Sequence, residues 1–187
     1  MRKLGLVLLY TALGWLANPV VADGTAFEAL REGDMRKLTF HAEPIDGTDV
    51  PFTHQDGGEI TLADLGNGYT VLNFWATWCA PCRKEMPSLS ALQDALVDTN
   101  AQVVTVATGR NPRPAIEAFF DEIGVDNLPL HADPRQSFSR AMGVLGLPVT
   151  LIISPQGQEI ARLQGDADWA SDSAIAIVTA LAATAAD

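Results

Sequence analysis

Cysteine is nearly missing from this chain: 187 residues carry two, Cys79 and Cys82. A disulfide framework in a small secreted domain uses several well-separated cysteines, and this pair brackets only Ala80 and Pro81. So short a loop removes little chain entropy from the unfolded state, which leaves chemistry as the reason for the pair. A zinc site built on it would need a second pair or clustered histidines. There is no second pair, and His41, His54 and His131 are scattered, each expected at the surface or in a loop. Basic residues are scarce too, 12 Lys and Arg against 23 Asp and Glu, for a formal net charge of −11. That balance excludes nucleic acid as a partner, which selects clustered cations, and fits a solvated acidic surface. Internal repeats are absent, and the one biased stretch is the Ala-rich end at 180–186.

What is present suffices for one ordinary domain, since 48% of the residues are hydrophobic and 19% charged. Arg2 and Lys3 precede an apolar stretch at 4–16, Asn18-Pro19 breaks it, and Val20-Val21-Ala22 leads into Asp23. This is the layout of a secretory signal peptide. The competing reading is an uncleaved anchor in the inner membrane, which needs roughly 20 apolar residues. Either reading places the rest of the chain outside the cytoplasm, in the periplasm, because the positive end stays inside. The expected organisation is a signal peptide or anchor at 1–22, an extension and linker at 23–50, and a domain at 51–187. Pro44, Asp46-Gly47 and Pro51 mark the linker.

Within the domain, Asp56-Gly57-Gly58 predicts a hairpin turn between 51–53 and 59–61. The apolar run 70–75 reads as a central strand buried on both faces. Met86, Leu89, Leu92 and Leu96 then recur at helical spacing, with Pro87 as an expected kink. A strand at 103–107, a helix at 114–123 stopped by Gly124, an extended piece at 128–131 and a short helix at 137–142 follow. Strands at 149–153 and 159–163 around Ser154-Pro155-Gln156-Gly157 form a second hairpin, and a helix at 171–181 closes the chain. A further extended segment is expected at 37–41. Alternating units demand a parallel portion and the hairpin adds an antiparallel one, so the fold class is α/β, a mixed sheet with helices on both faces.

Cys79 follows the central strand and opens a helix at about Pro81. Free backbone N–H groups and the macrodipole at a helix amino terminus favour a thiolate there, and the thiolate is the attacking species in disulfide exchange. Cys82, one turn on, is placed to resolve a mixed disulfide. Pro81 suits the first turn because it has no N–H to leave unpaired, and Arg83 and Lys84 add positive charge nearby. A carrier of copper on the same two soft ligands is the alternative; a peroxidase lacks the separated reactive cysteine it requires. By position alone, Glu85 is a solvated helix charge.

The segment Asn73-Phe-Trp-Ala-Thr-Trp-Cys-Ala-Pro-Cys-Arg-Lys-Glu-Met-Pro87 resembles the TlpA/ResA branch of thioredoxin-like proteins, and the likeness runs from about Phe52 to Leu181. Gly165-Asp-Ala-Asp-Trp-Ala-Ser171 is closest to the TlpA type. The resemblance implies a thioredoxin fold with an added N-terminal β-hairpin, and a proline in the cis form, here Pro148, facing the redox pair. It also implies substrate contacts at Trp78, Ala80, Pro81 and Leu147. Where thioredoxin has a buried acid this chain has Asn73, and the branch instead uses the acid three residues after the second cysteine, Glu85, as a proton relay to Cys82. The implied activity is thiol–disulfide exchange without a cofactor, in the reducing direction, since no histidine lies between the cysteines. Implied partners are exported proteins with oxidised cysteine pairs, copper chaperones or oxidase subunits among them, and a membrane thiol-transfer protein as electron donor. An acid after the cis proline, usual in the cytochrome-c-maturation branch, is replaced by Val149 and Thr150, which favours copper-centre assembly over haem-apoprotein reduction.

Overall fold

The structure is a computed structural model and describes residues 27–184. The export segment expected at 1–22 lies outside the described residues, and no described helix is long and apolar enough to cross a membrane. The strands, in chain order, are β1 (Thr39–Asp46), β2 (Phe52–Thr53), β3 (Glu59–Ile60), β4 (Tyr69–Trp75), β5 (Ala101–Thr108), β6 (His131–Asp133), β7 (Val149–Ile153) and β8 (Gln158–Gln164). The helices are α1 (Ala80–Ala95), α2 (Arg113–Ile123), α3 (Ser137–Ala141) and α4 (Asp172–Thr184).

All strands join one sheet in the order β1-β8-β7-β4-β5-β6-β2-β3. β4 is parallel to β5 and antiparallel to β7, and β5 is parallel to β6, so the sheet is mixed. Every residue of β4 is buried, which is why its sequence is an apolar run without alternation. Successive side chains nonetheless go to opposite faces. Val71 and Trp75 pack with Leu89 and Leu92 of α1, Ile116 and Phe120 of α2 and Ile177 of α4. Leu72 and Phe74 join Phe138 of α3 and Phe52 of the first hairpin on the other face. Helices therefore cover both faces, as expected of the thioredoxin fold.

Two expectations change. Part of the expected linker is strand β1, which pairs antiparallel with β8 at one edge of the sheet. Pro44 is tolerated there because it falls in the irregular stretch between Phe40 and Ile45, on an edge strand where a missing N–H breaks no ladder. The extended piece expected at 128–131 begins later, at His131, where β6 aligns with Val106 of β5. Elsewhere α1 continues through Pro87, and Gly124 closes α2 in the left-handed conformation at φ 65°.

Candidate active site

β4 ends at Trp75 and delivers the chain to the amino terminus of α1, with Cys79 as its N-cap. The Cys79 N–H donates to the Ala76 carbonyl at 3.0 Å, and the Cys82 N–H donates to Cys79 Sγ at 3.4 Å. A helix-end amide thus already points at Cys79 Sγ, at the end of the helix where backbone amides favour negative charge. The two cysteines are joined as a disulfide with their Cα atoms 5.3 Å apart. Cys79 is 7% exposed and Cys82 not at all, so an incoming sulfur reaches only Cys79. Thr77 N–H and Oγ1 both donate to Asn111 Oδ1, at 2.8 and 2.9 Å, and Asn111 Nδ2 donates to the Thr108 carbonyl at 2.8 Å. These bonds tie the turn before Cys79 to the end of β5.

Cys79 opens on a cleft of about 450 Å³ lined by Trp78, Pro81, Thr108, Gln136, Ser139 and the segment 144–147. The Leu147–Pro148 peptide is cis; Leu147 lines this cleft, and both residues line the neighbouring hollow beside Gly165. Two apolar side chains flank the opening in full view of solvent, Trp78 at 62% and Leu145 at 97% exposed. The floor is polar: Thr108 Oγ1 lies 2.8 Å from Ser139 Oγ and 3.2 Å from Asp133 Oδ2, within hydrogen-bond distance of both. The site is therefore an accessible sulfur between greasy lips, a shape suited to a chain bearing a cysteine rather than to an enclosed small molecule.

Behind the disulfide, Glu85 projects from α1 into the core and is 3% exposed. Asn73 Nδ2 donates to its Oε1 at 2.9 Å, and the Ala167 N–H donates to its Oε2 at 3.1 Å. Asn73 Nδ2 also donates to Thr150 Oγ1 at 2.9 Å. The Trp169 indole N–H sits near the same carboxylate without reaching hydrogen-bond geometry. Burial pushes the Glu85 carboxyl up to about 7, against the opposing pull of the Asn73 and Ala167 hydrogen bonds. A carboxyl so poised can take or give a proton near neutral pH.

Residues 45–160 match the AhpC/TSA family. The chain is 33% identical over 123 residues to the thiol-disulfide oxidoreductase ResA of Bacillus subtilis, covering 64% of this chain and 68% of that one. It is 35% identical over 125 residues to the thiol:disulfide interchange protein HelX of Rhodobacter capsulatus, covering 66% of this chain and 62% of that one. The chain belongs to the AhpC/TSA family. It is a ResA-like thiol–disulfide oxidoreductase of the thioredoxin type. The fold agrees: a secreted Mycobacterium tuberculosis disulfide oxidoreductase homologous to E. coli DsbE superposes with a TM-score of 0.59 at 25% identity, over 71% of this chain and 96% of that one.

The structure of this ResA-like oxidoreductase brings Cys79, Trp78, Pro81 and Leu147 to one cleft, with Cys82 bonded to Cys79 and buried, and keeps Ala80 exposed at the head of α1. Glu85 lies on the inner side of the same helix. Arg83 and Lys84 are not free charges: Arg83 pairs with Glu122 at 3.2 Å and stacks on Phe119, and Lys84 pairs with Asp166 at 3.0 Å. Their contribution at Cys79 is correspondingly reduced. The expectation of three isolated surface or loop histidines also needs correction. His131 is buried in β6, 4.9 Å from the ring of His54, because the first hairpin folds back onto that strand. Burial first, then the His54 neighbour, push His131 down to about 4. Sequence reasoning missed Thr150, Ala167 and Asn111 as supports of the site and Leu145 as its most exposed apolar residue. The one available signal was the Gly165–Ser171 segment, whose Ala167 reaches Glu85.

Proposed function

We propose that the chain is an extracytoplasmic reductase of protein disulfides that works through the Cys79–Cys82 dithiol. The observation that carries this reading is the asymmetry of the pair, one sulfur at the cleft and one fully buried behind it. In the reduced protein the Cys79 thiolate attacks one sulfur of a partner disulfide, forming a mixed disulfide and expelling the partner's other sulfur as a thiolate. Cys82 gives its proton to Glu85 and attacks Cys79 Sγ. The partner's second sulfur leaves, two electrons have passed to the partner, and Cys79–Cys82 is oxidised. Pro148 holds Leu147 at the cleft, where its backbone pairs with the partner strand, and Trp78, Ala80 and Pro81 meet the partner's surface. A membrane thiol-transfer protein returns the electrons.

Placement outside the cytoplasm is supported by the signal-like residues 1–22 and by the secreted structural relative. The substrate class that fits is an exported protein with an oxidised cysteine pair. The resemblance to the TlpA type, with Val149 and Thr150 after Pro148, favours partners in copper-centre assembly of respiratory oxidases over cytochrome c maturation. The test is capture. Cys82→Ser expressed with its export segment should hold partners as mixed disulfides through Cys79, released by dithiothreitol and identified by mass spectrometry. Cys79→Ser should hold none. Equal capture by both variants sinks the assignment, and tight Cu(I) retention by the reduced protein with no exchange favours the carrier reading instead.

A further inference from the structure

We propose that Arg162 is a positioning residue that sets the cleft wall against which a peptide disulfide docks; this rests on the exchange reading above. The argument begins with an irregularity in β8. Ile152 of β7 faces Ala161 while Ile153 faces Glu159, so Ile160 is an extra residue, a bulge. In a regular strand residues three apart point to opposite faces; one inserted residue brings Glu159 and Arg162 onto the same face. There Arg162 Nε donates to Glu159 Oε1 and Nη2 to Oε2, each at 2.7 Å, a two-point fork. His41 Nε2, on β1, lies 2.6 Å from the same Oε1. Burial pushes the Glu159 carboxyl up, but hydrogen bonds from Arg162 and then His41 outweigh it and hold the group below its usual range.

Thus fixed, the guanidinium spends its remaining donors on the chain. Nη2 donates to the Met142 carbonyl at 3.0 Å and Nη1 to the Gly143 carbonyl at 3.4 Å. These carbonyls sit where α3 ends and the chain reverses at Gly143, φ 66°. The next residues, 144–147, form the wall opposite Trp78, and at the far end the Gly165 N–H pins the Pro148 carbonyl at 2.9 Å. The wall is therefore held at both ends; at the α3 end the Val144 N–H donates to the Ser139 carbonyl at 2.9 Å, and Arg162 adds a side-chain pin on the two carbonyls just before it. A small disulfide needs only Cys79 Sγ. A peptide disulfide must also lie along the wall, so it alone feels the pin.

The experiment is reduction of hydroxyethyl disulfide and of a short disulfide-closed peptide by the full-length protein, kept reduced by excess dithiothreitol, with the rate of dithiothreitol alone subtracted. Arg162→Met should raise KM for the peptide roughly tenfold while its kcat and the rate with hydroxyethyl disulfide stay within about twofold. Arg162→Lys, which keeps the charge and loses the fork, should also raise the peptide KM. Glu159→Gln, nearly the same size, should do the same and serves if Arg162→Met does not fold. An unchanged peptide KM in the folded variants, or equal slowing with both probes, overturns the proposal. A wild-type protein that reduces neither probe overturns instead the exchange reading on which it rests.

Discussion

Replacing Glu85 by Gln removes one buried titration while hardly changing the size of the side chain. Burial raises this carboxyl from 4.5 to about 7. Between those values the folded protein keeps a proton that the unfolded chain has released, so this group's contribution is fully present below pH 4.5 and is lost as pH rises toward 7. At about 1.36 kcal/mol per pKa unit the interval is worth about 3 kcal/mol. His131 acts in the opposite sense: its fall from 6.5 to about 4 means that the unfolded chain binds a proton the folded one refuses. Stability from that source is lost as pH falls through the same range, and the two nearly cancel in the wild type. The informative quantity is therefore the difference between wild type and Glu85→Gln. Urea unfolding of the oxidised proteins at a series of pH values should show it falling by about 3 kcal/mol from pH 4.5 to just above 7. A difference that stays flat to within about 0.5 kcal/mol refutes the claim that this carboxyl is desolvated.

His131→Asn keeps an acceptor near Nδ1 for the Gln55 N–H that donates to it at 3.1 Å, and removes the titration. Its unfolding curve, against wild type, should shift with pH by a similar magnitude and the opposite sign. Leu145→Ser alters a residue that is 97% exposed, so stability should stay within about 0.5 kcal/mol while reduction of a peptide disulfide slows several-fold. Unaltered kinetics in that variant would remove Leu145 from the docking surface.

The fold was legible because its signals are local. The apolar run that became β4, the Asp56-Gly57-Gly58 turn, and the helical spacing of Met86, Leu89 and Leu92 each specify their element without help from distant residues. β1 was legible only at its start, in the extended segment expected at 37–41; Pro44 and Asp46 read as loop residues and join the strand only because β8 offers an edge. At the site, the cysteine spacing and the helix start were plain. The burial of Glu85 was legible only through the family resemblance, because its surroundings come from three separate segments, carrying Asn73, Thr150, and Ala167 with Trp169. The pairing of His54 with His131 escaped for the same reason: 77 positions apart, they meet only when the hairpin reaches β6. A bulge that turns Glu159 and Arg162 to one face is likewise a property of pairing, not of either residue.

Whether the head of α1 activates the one sulfur that faces the cleft can be read from a single measurement. The reduced protein is treated at neutral pH with limiting iodoacetamide beside free cysteine amide, and the modified positions are mapped by mass spectrometry. Cys79 should take the label first and faster than the free thiol, with Cys82 protected until the protein is unfolded. Labelling of Cys82 first, or of Cys79 more slowly than the free thiol, would contradict the account.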